Sequence, residues 1–317
     1  MLVLTLSFLT APVSWAIHKE EIARLIQQLN GPTPEERANA AWRLAHLDMF
    51  PEAKAAVPIL IERMKDESTV VRSRAAEALG HLGRDDKAAL DALIAGLKDR
   101  DLEVRAAAAS ALGDQGAAAA AAVDALAEAL KDSEPFVRHE SARALGTMGP
   151  ASERAVAALK EVVRDGSDPI LREYAAHALG QVGHGAKADD VLIGLAKSDP
   201  DRYVREKAVD ALERMGPAHA DHVVPTLQHV LRSDTEPQVR QAAVRALGSM
   251  GEAGIPGLVE ALRDKDSIVR WRAVVTLGDL GSKALPALAA LREAAKDASS
   301  LVADAAKRVL QKLEPAP

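Results

Sequence analysis

The chain has 317 residues, of which 48% are apolar, 27% charged and only 3% aromatic, so small aliphatic side chains carry most of its hydrophobicity. The absence of cysteine excludes a disulfide framework, thiolate metal sites and a cysteine nucleophile. A net charge of −6 gives no overall positive field for holding a nucleic acid, and the apolar content excludes a wholly disordered chain.

The first sixteen residues differ in composition from the rest of the chain. They carry no charged side chain, contain the apolar run Leu2–Leu9 and end in the small-x-small pattern Ser14-Trp15-Ala16. This segment resembles a secretory signal peptide and is too short to span a membrane. Because no Lys or Arg precedes the apolar run, an apolar cap helix on a cytoplasmic protein is the alternative. The sequence predicts export to the periplasm or medium if residues 1–16 are cleaved, a cytoplasmic location otherwise, and no later membrane span.

One motif recurs through residues 17–317 with a period near 33 residues. A typical copy has Val-Arg or Leu-Arg, then Ala-Ala, Ala-Val or Ser-Ala three and four positions after the arginine, then Leu-Gly and a second Gly. Repeats of this length are typical of solenoids, in which neighbouring helix pairs bury each other's apolar faces. A degenerate copy begins at Arg37, and the last copy has Ala303 in place of the arginine. The motif arginines of the other copies are Arg72, Arg105, Arg138, Arg172, Arg205, Arg240 and Arg270.

The motif predicts the second helix of each pair. Four residues before the arginine come N-cap residues such as Asp201, and three before it come prolines such as Pro169, which suit a first helical turn. The positions one before and three, four and seven after the arginine form a small or apolar stripe that should be buried. The Leu-Gly glycine permits close helix contact. The second glycine, such as Gly83 or Gly251, is expected to adopt the left-handed conformation that ends a helix.

A first helix with its own apolar residues precedes each second helix. The sequence therefore predicts an all-α fold, a right-handed α-solenoid (superhelix) of about nine helix pairs that follows the segment 1–16 as one domain, residues 17–317. The nine pairs are expected at residues 18–47, 53–83, 87–116, 119–149, 152–183, 187–216, 219–251, 253–281 and 283–313.

On these residues the chain resembles the HEAT-repeat family, in particular the short bacterial repeats first associated with phycobilisome lyases. The resemblance covers residues 18–313. It implies that an aspartate between the two helices and the arginine of the second helix form a ladder through the stack, so that the seven motif arginines are structural. The aspartates at the matching position are Asp66, Asp99, Asp132, Asp199, Asp234, Asp264 and Asp297.

The second-helix positions that packing leaves over lie one, two, five and nine residues after the motif arginine and should line the concave face. Exposed Tyr, Trp and Arg are typical of protein-binding hot spots. An ordinary solvated helix face that holds a few aromatics by chance is the alternative. The candidate partner-binding residues, from copies four to eight, are His139, Glu140, Arg143, Tyr174, His177, Lys207, Arg245, Trp271 and Arg272.

Two histidine groups have the chemistry of metal ligands. The His139-Glu140 pair is similar to a metal-binding repeat of deoxyhypusine hydroxylase, a HEAT-like di-iron enzyme, and that resemblance implies four such pairs where this chain has one. His219 and His222 lie at the start of a first helix, where the pattern places no third protein ligand. The sequence therefore predicts surface histidines at both places, and neither a metal nor another cofactor.

These observations predict a non-catalytic, monomeric scaffold that binds a protein or peptide on its concave face. The candidate residues are basic and aromatic, which favours a partner with acidic and apolar patches. A nucleic acid is not expected, because the face has neither a continuous basic channel nor a regular series of stacking rings. Two alternatives stay open: a phycobilin lyase-like or chaperone subunit, and a degenerate relative of the di-iron hydroxylase.

Overall fold

The computed structural model describes residues 10–165, 167–182 and 188–314 of the chain. These residues form α-helices and short 3-10 helices, and no strand occurs among them. The prediction of an all-α solenoid is confirmed. The chain divides into two compact units, residues 1–158 (unit 1) and residues 159–317 (unit 2).

Unit 1 contains four helix pairs. The eight helices are α1 Thr10–Gln28, α2 Pro34–Ala45, α3 Val57–Arg63, α4 Thr69–Leu82, α5 Lys87–Gly96, α6 Leu102–Gln115, α7 Val123–Ala129 and α8 Pro135–Met148. In each pair a first helix is followed, after a short turn, by a second helix, and the four second helices α2, α4, α6 and α8 pack against one another in chain order.

Unit 2 repeats the same arrangement, and the boundary between the units falls inside helix α9. The helices from the boundary onward are α9 Val156–Asp165, α10 Pro169–Val182, α11 Asp189–Ser198, α12 Arg202–Arg214, α13 Ala220–Ser233, α14 Pro237–Ser249, α15 Ile255–Ala261, α16 Ser267–Asp279, α17 Leu288–Ala294 and α18 Ser300–Leu313. Short 3-10 helices directly precede the first helices α3, α7, α9, α13, α15 and α17.

The second helices approach one another closely because small residues line their contacts. On α8, Val137, Ser141, Ala142 and Leu145 are all buried, as the stripe predicts. The Leu-Gly glycine marks the tightest contact: a Cβ atom added to Gly180 on α10 would lie 2.6 Å from the Cβ atom of a residue on α12. Only a residue without a side chain fits there.

The ends of the second helices match most of the sequence expectations. Prolines begin α2, α8, α10 and α14, as predicted. Gly251 has φ +63°, which confirms its left-handed conformation, but the same prediction for Gly83 is wrong because its φ is −92°. Here the Asp86 amide donates to the Gly83 carbonyl at 3.0 Å in the turn that leads to α5, and Asp85 adopts the positive φ of 68° instead.

The predicted signal segment, residues 1–16, overlaps helix α1. Residues 1–9 lie outside the described residues, and α1 begins at Thr10 and continues through Ala16. Ile22 and Leu25 of α1, and Leu29 just after it, are buried. These three buried residues all lie after the predicted cleavage position at residue 16.

Candidate functional site

A ladder of arginine–aspartate contacts sets the register of the second helices. Arg240 on α14 is typical: its Nε and Nη2 atoms donate to the two carboxylate oxygens of Asp264 at 2.7 and 2.9 Å. Its Nη1 atom donates to the backbone carbonyls of Asp234 and Thr235 at 2.9 and 3.1 Å. The arginine thus binds the carbonyl of its own inter-helix aspartate and the carboxylate of the next one, which ties each repeat to its successor.

The same two-pronged contact recurs along both units, with Nε–Oδ2 distances of 2.7–2.9 Å. Arg138 donates to the carbonyls of Asp132 and Ser133. The sequence analysis left Arg37 out of the ladder, yet Arg37 holds Asp66 in the same geometry. The arginine–aspartate pairs are Arg37–Asp66, Arg72–Asp99, Arg105–Asp132, Arg172–Asp199, Arg205–Asp234, Arg240–Asp264 and Arg270–Asp297.

Each ladder aspartate also shapes the turn that leads into its second helix. The Oδ1 atom of Asp297 accepts a hydrogen bond from the amide of Ser299, two residues on, at 2.8 Å. The hydrogen bond from Arg270 holds the pKa of Asp297 below its usual value, against the opposing effect of burial, and the Ser299 amide adds to this lowering. The ladder therefore fixes where each second helix starts and which of its side chains face outward.

We use the term second-helix surface for the side chains one, two, five and nine residues after each motif arginine. The structure places the nine candidate residues in both units. Three of them, His139, Glu140 and Arg143, lie on α8 of unit 1. The six on unit 2 lie on four consecutive second helices and are Tyr174, His177, Lys207, Arg245, Trp271 and Arg272.

Polar contacts join the second-helix surface of unit 2 from helix to helix. Arg214 on α12 donates to the side-chain oxygen of Gln181 on α10 at 3.1 Å. On α16, Arg272 reaches Gln241 of α14 at 3.5 Å, while its Nε atom is buried without a hydrogen-bond partner. Because neighbouring helices are within hydrogen-bonding reach of each other at these positions, the six candidates belong to one continuous surface.

Two of the candidate arginines form ion pairs with carboxylates of the same chain. Arg245 binds Asp210, and its Nε atom donates to Glu213 at 2.8 Å. In unit 1, Arg143 donates to Glu140 at 2.7 Å and to the hydroxyl of Ser110 at 2.8 Å. These two arginines are paired with carboxylates of the protein itself, so they give no support to the acidic partner expected from the sequence, which stays a prediction.

The contact between Arg143 and Glu140 also bears on the di-iron resemblance. Glu140 Oε2 accepts both the Nε and the Nη2 donors of Arg143, so this carboxylate forms an ion pair within its own helix. His219 lies 3.7 Å from Asp189 rather than in a histidine cluster. Within the described ranges, no group of three or more His, Cys, Asp or Glu side chains has the geometry of a metal site.

Two titratable groups of the unit 2 surface are shifted by burial. Burial lowers the pKa of His177, and the nearby positive charges of Arg214 and Lys207 lower it further, so this imidazole is neutral at neutral pH. Burial raises the pKa of Glu173, which makes no hydrogen bond or ion pair to the described residues. The surface thus offers a neutral imidazole, which can donate or accept, beside a carboxylate that has no protein cation bound to it.

The sequence analysis missed two exposed features. Trp42 on α2 lies five residues after Arg37, at a second-helix surface position, and stacks at a tilt on His46 with ring centroids 4.6 Å apart. It escaped notice because its copy of the motif is degenerate. The second feature is a row of apolar side chains two residues before the motif arginines. Their shared register was the signal that could have revealed them. The row comprises Val70 and Phe136 in unit 1, and Ile170, Tyr203, Ile268 and Leu301 in unit 2.

In the part of the chain that the structure describes, no helix is both long and apolar enough to cross a membrane. No curated protein matches the chain. Among solved structures, the crystal structure of an engineered protein from the Northeast Structural Genomics Consortium is similar over 96% of this chain and 91% of that chain, with a TM-score of 0.55 and 23% identity, which shows the fold alone. The family described as HEAT repeats matches residues 22–113, 90–180, 167–213 and 224–311. With its paired helices and its matches along most of its length, the chain belongs to the HEAT-repeat family.

Proposed function

We propose that this protein is a non-catalytic scaffold that binds a protein or peptide on the second-helix surface of unit 2, the side expected to be concave. The observation that carries the proposal is the continuity of that surface across four helices, with Tyr174 and Trp271 half-buried on it. Large, partly buried aromatics are the side chains that concentrate binding energy at protein interfaces. HEAT repeats commonly mediate protein interactions, which supports this reading over catalysis.

We also propose that the protein is a monomer and that it is exported. Sedimentation of the purified protein tests the first. Sequencing of the mature N-terminus tests the second, with Ile17 expected as the first residue if residues 1–16 are removed. A phycobilin lyase-like role, a chaperone role and a di-iron hydroxylase role stay as alternatives, and the last has one His-Glu pair in the sequence where it needs four.

The experiment is an affinity comparison on a partner captured from the native cells. Tyr174→Ala and Trp271→Ala should each weaken binding by about 2 kcal/mol, or roughly 30-fold, as hot-spot truncations do. Arg74→Ala is the matched control, because Arg74 lies at a second-helix surface position of unit 1 and is already paired with Glu77 at 2.7 Å. Equal losses for all three variants, or no loss at Tyr174 and Trp271, would refute the assignment of this surface.

A further inference from the structure

The exposed apolar side chains of this protein are not scattered. Nine large apolar side chains are exposed in the described residues, and six of them share one register, two residues before the motif arginine. Single exposed apolar residues are ordinary in soluble proteins, whereas contiguous apolar patches mark interaction sites. The recurrence of exposed apolar side chains at one register therefore indicates a binding surface.

In unit 2 these residues form a row with one interruption, here called the apolar row. Ile170, Tyr203, Ile268 and Leu301 lie in the first turns of α10, α12, α16 and α18 and are 39–51% exposed. The intervening helix α14 has the exposed polar residue Gln238 at the same register. Because each of these helices packs against the next, the row has two apolar positions, a polar gap and two more apolar positions.

The apolar row borders the second-helix surface. On a helix, residues three and four apart share a face. Ile170 is therefore followed on the same face by Glu173 and Tyr174, and Ile268 is followed by Trp271. A ligand lying on the apolar row would also touch the two aromatics of the proposed binding surface.

The spacing of the row selects a backbone conformation for such a ligand. Packed helices lie about 8–10 Å apart. A polyproline II segment has three residues per turn and rises about 3.1 Å per residue, so every third side chain points the same way about 9 Å further on. A β-strand alternates faces at every residue and cannot place each third side chain on one surface.

Charged residues beside the row favour positively charged ligand side chains at one end of the row. Glu173 and Glu206, each three residues after a member of the row, make no hydrogen bond or ion pair to the described residues. The neighbouring cations are engaged: Arg202 lies over the ring of Tyr203 and 3.8 Å from Glu236, and Lys207 lies 3.7 Å from Asp210. The α10–α12 end therefore presents two carboxylates without a direct ion pair, on which only the more distant charges of Lys207 and Arg202 act.

At the α16–α18 end of the row, the charged residues are arranged differently. Arg272 lies one turn after Ile268, and its buried Nε atom has no partner. Next to Leu301, Asp304 is paired with Lys307 at 3.6 Å. A cationic side chain of the ligand is therefore not expected at the α16–α18 end.

We propose that the apolar row of unit 2 docks a polyproline II segment of a partner protein, with apolar side chains at its first, fourth, tenth and thirteenth positions and Lys or Arg only beside the first two. The seventh position, which faces Gln238, is polar. This inference rests on the proposed function and specifies the chemistry of the partner for the same surface.

The test uses the full chain and a fluorescent thirteen-residue peptide, Leu-Pro-Lys-Leu-Pro-Lys-Ser-Pro-Ser-Leu-Pro-Ser-Leu, together with the same sequence in reverse order, since either chain direction satisfies the spacing. One of the two should bind. Replacing both lysines by Glu, or moving the leucines to positions 1, 5, 9 and 13, should weaken binding at least tenfold. Equal binding of these control peptides would overturn the inference.

Variants of the row separate docking from general stickiness. Tyr203→Ser and Ile268→Ser should each weaken the peptide about tenfold, because each removes one buried apolar contact. Leu285→Ser is the matched control, since Leu285 is equally exposed but lies off the row, and it should leave binding unchanged. Loss of binding in the control, or its retention in both row variants, would contradict the proposal.

The polar gap allows a test in which binding should improve. Gln238→Leu should raise the affinity about tenfold for a peptide with Leu at position 7, and should not raise it for the peptide with Ser there. A misfolded variant cannot give such a gain. No gain, or an equal gain for both peptides, would contradict the proposed register.

A second copy of this chain is the competing occupant. If the protein sediments as a dimer that Tyr203→Ser and Ile268→Ser dissociate, the row is a self-interface and the inference is wrong. Failure of the peptides while Tyr174→Ala and Trp271→Ala still weaken the natural partner would overturn this inference and leave the proposed function intact. Failure of both sets would overturn both.

Discussion

Replacement of Arg240 by Ala tests whether the ladder holds the repeats together. The side chains of Arg240 and Asp264 are only 2% and 6% exposed, and the arginine satisfies both carboxylate oxygens and two backbone carbonyls. Removal of one partner leaves a buried charge without compensation, which typically costs about 3–5 kcal/mol. A cavity of about 510 Å³ beside the pair, lined by Asp234, Arg240 and Asp264, can admit water to the stranded groups. We therefore expect the lower end of that range, about 3 kcal/mol.

The assay is urea and thermal unfolding followed by far-UV circular dichroism. A loss of about 3 kcal/mol corresponds to a fall in melting temperature of roughly 6–12 °C for a unit of this size. The control is Arg232→Ala: Arg232 binds Glu260 through the same two nitrogens, but the two side chains are 61% and 32% exposed. Exposed pairs contribute little, so this variant should unfold close to wild type.

A double variant identifies the cause of the loss. Asp264→Asn removes the stranded charge but keeps the oxygen that accepts the amide of Asp266 at 2.8 Å. If the unpaired carboxylate causes most of the loss, Arg240→Ala/Asp264→Asn should be more stable than Arg240→Ala alone. Equal destabilisation by Arg240→Ala and Arg232→Ala, or no recovery in the double variant, would refute the account of the ladder.

Two further predictions concern stability. Gly180→Ala should lower the free energy of unfolding in urea by about 1–3 kcal/mol, because the added Cβ would lie 2.8 Å from the Cα atom of Ala211. Gly194→Ala on α11, where the Cβ would meet nothing within 4 Å, should raise it by about 0.5–1 kcal/mol. The opposite order would contradict the close packing of the second helices. The pKa values of Asp66, Asp132 and Asp297 are lowered in the folded protein, so the stability that these groups contribute is fully present above their unfolded pKa near 4 and is lost as the pH falls through their folded values. Melting curves between neutral and acid pH should show this loss of stability, and the loss should be smaller in Asp297→Asn. If the variant loses as much stability at acid pH as the wild type, the ladder is not the cause of the loss.

Local features of the fold were predictable from the sequence where one residue type has one physical use. A proline that begins a second helix, as at Pro169 and Pro237, is such a case, because its missing amide costs nothing in a first turn. Gly83 shows the limit. Whether a glycine takes a positive φ depends on the path to the next helix, and in this copy Asp85 makes the reversal.

The ladder was predictable in its residues but not in its connections. The same spacing allows an arginine to pair with the aspartate before it or with the next one, and only the packing of consecutive second helices decides. Arg37 illustrates the consequence. No aspartate precedes it at the ladder position, but Gly31 supplies the backbone carbonyl at 3.1 Å and the next copy supplies Asp66. Because an arginine takes only a backbone carbonyl from the residue six positions before it, the first copy, which has no preceding ladder arginine, can have a glycine there.

The candidate surface was predictable in position and only partly in character. Counting from the motif arginine placed Tyr174, Trp271 and Arg245 correctly on second helices. The neutralisation of Arg245 could not be foreseen, because Asp210 and Glu213 lie 35 and 32 residues away in sequence. Charge at a repeat surface depends on pairs between copies, which a list of positions within one copy does not contain.

The central claim is that the second-helix surface of unit 2 contacts a partner. Photo-crosslinking in the native cells tests it most directly, with a benzophenone amino acid placed in the full chain at position 174, at position 271, or at the exposed first-helix residue His222 of α13. The account predicts one shared crosslinked species from positions 174 and 271 and none from 222. The same species from all three positions, or from 222 alone, would contradict it.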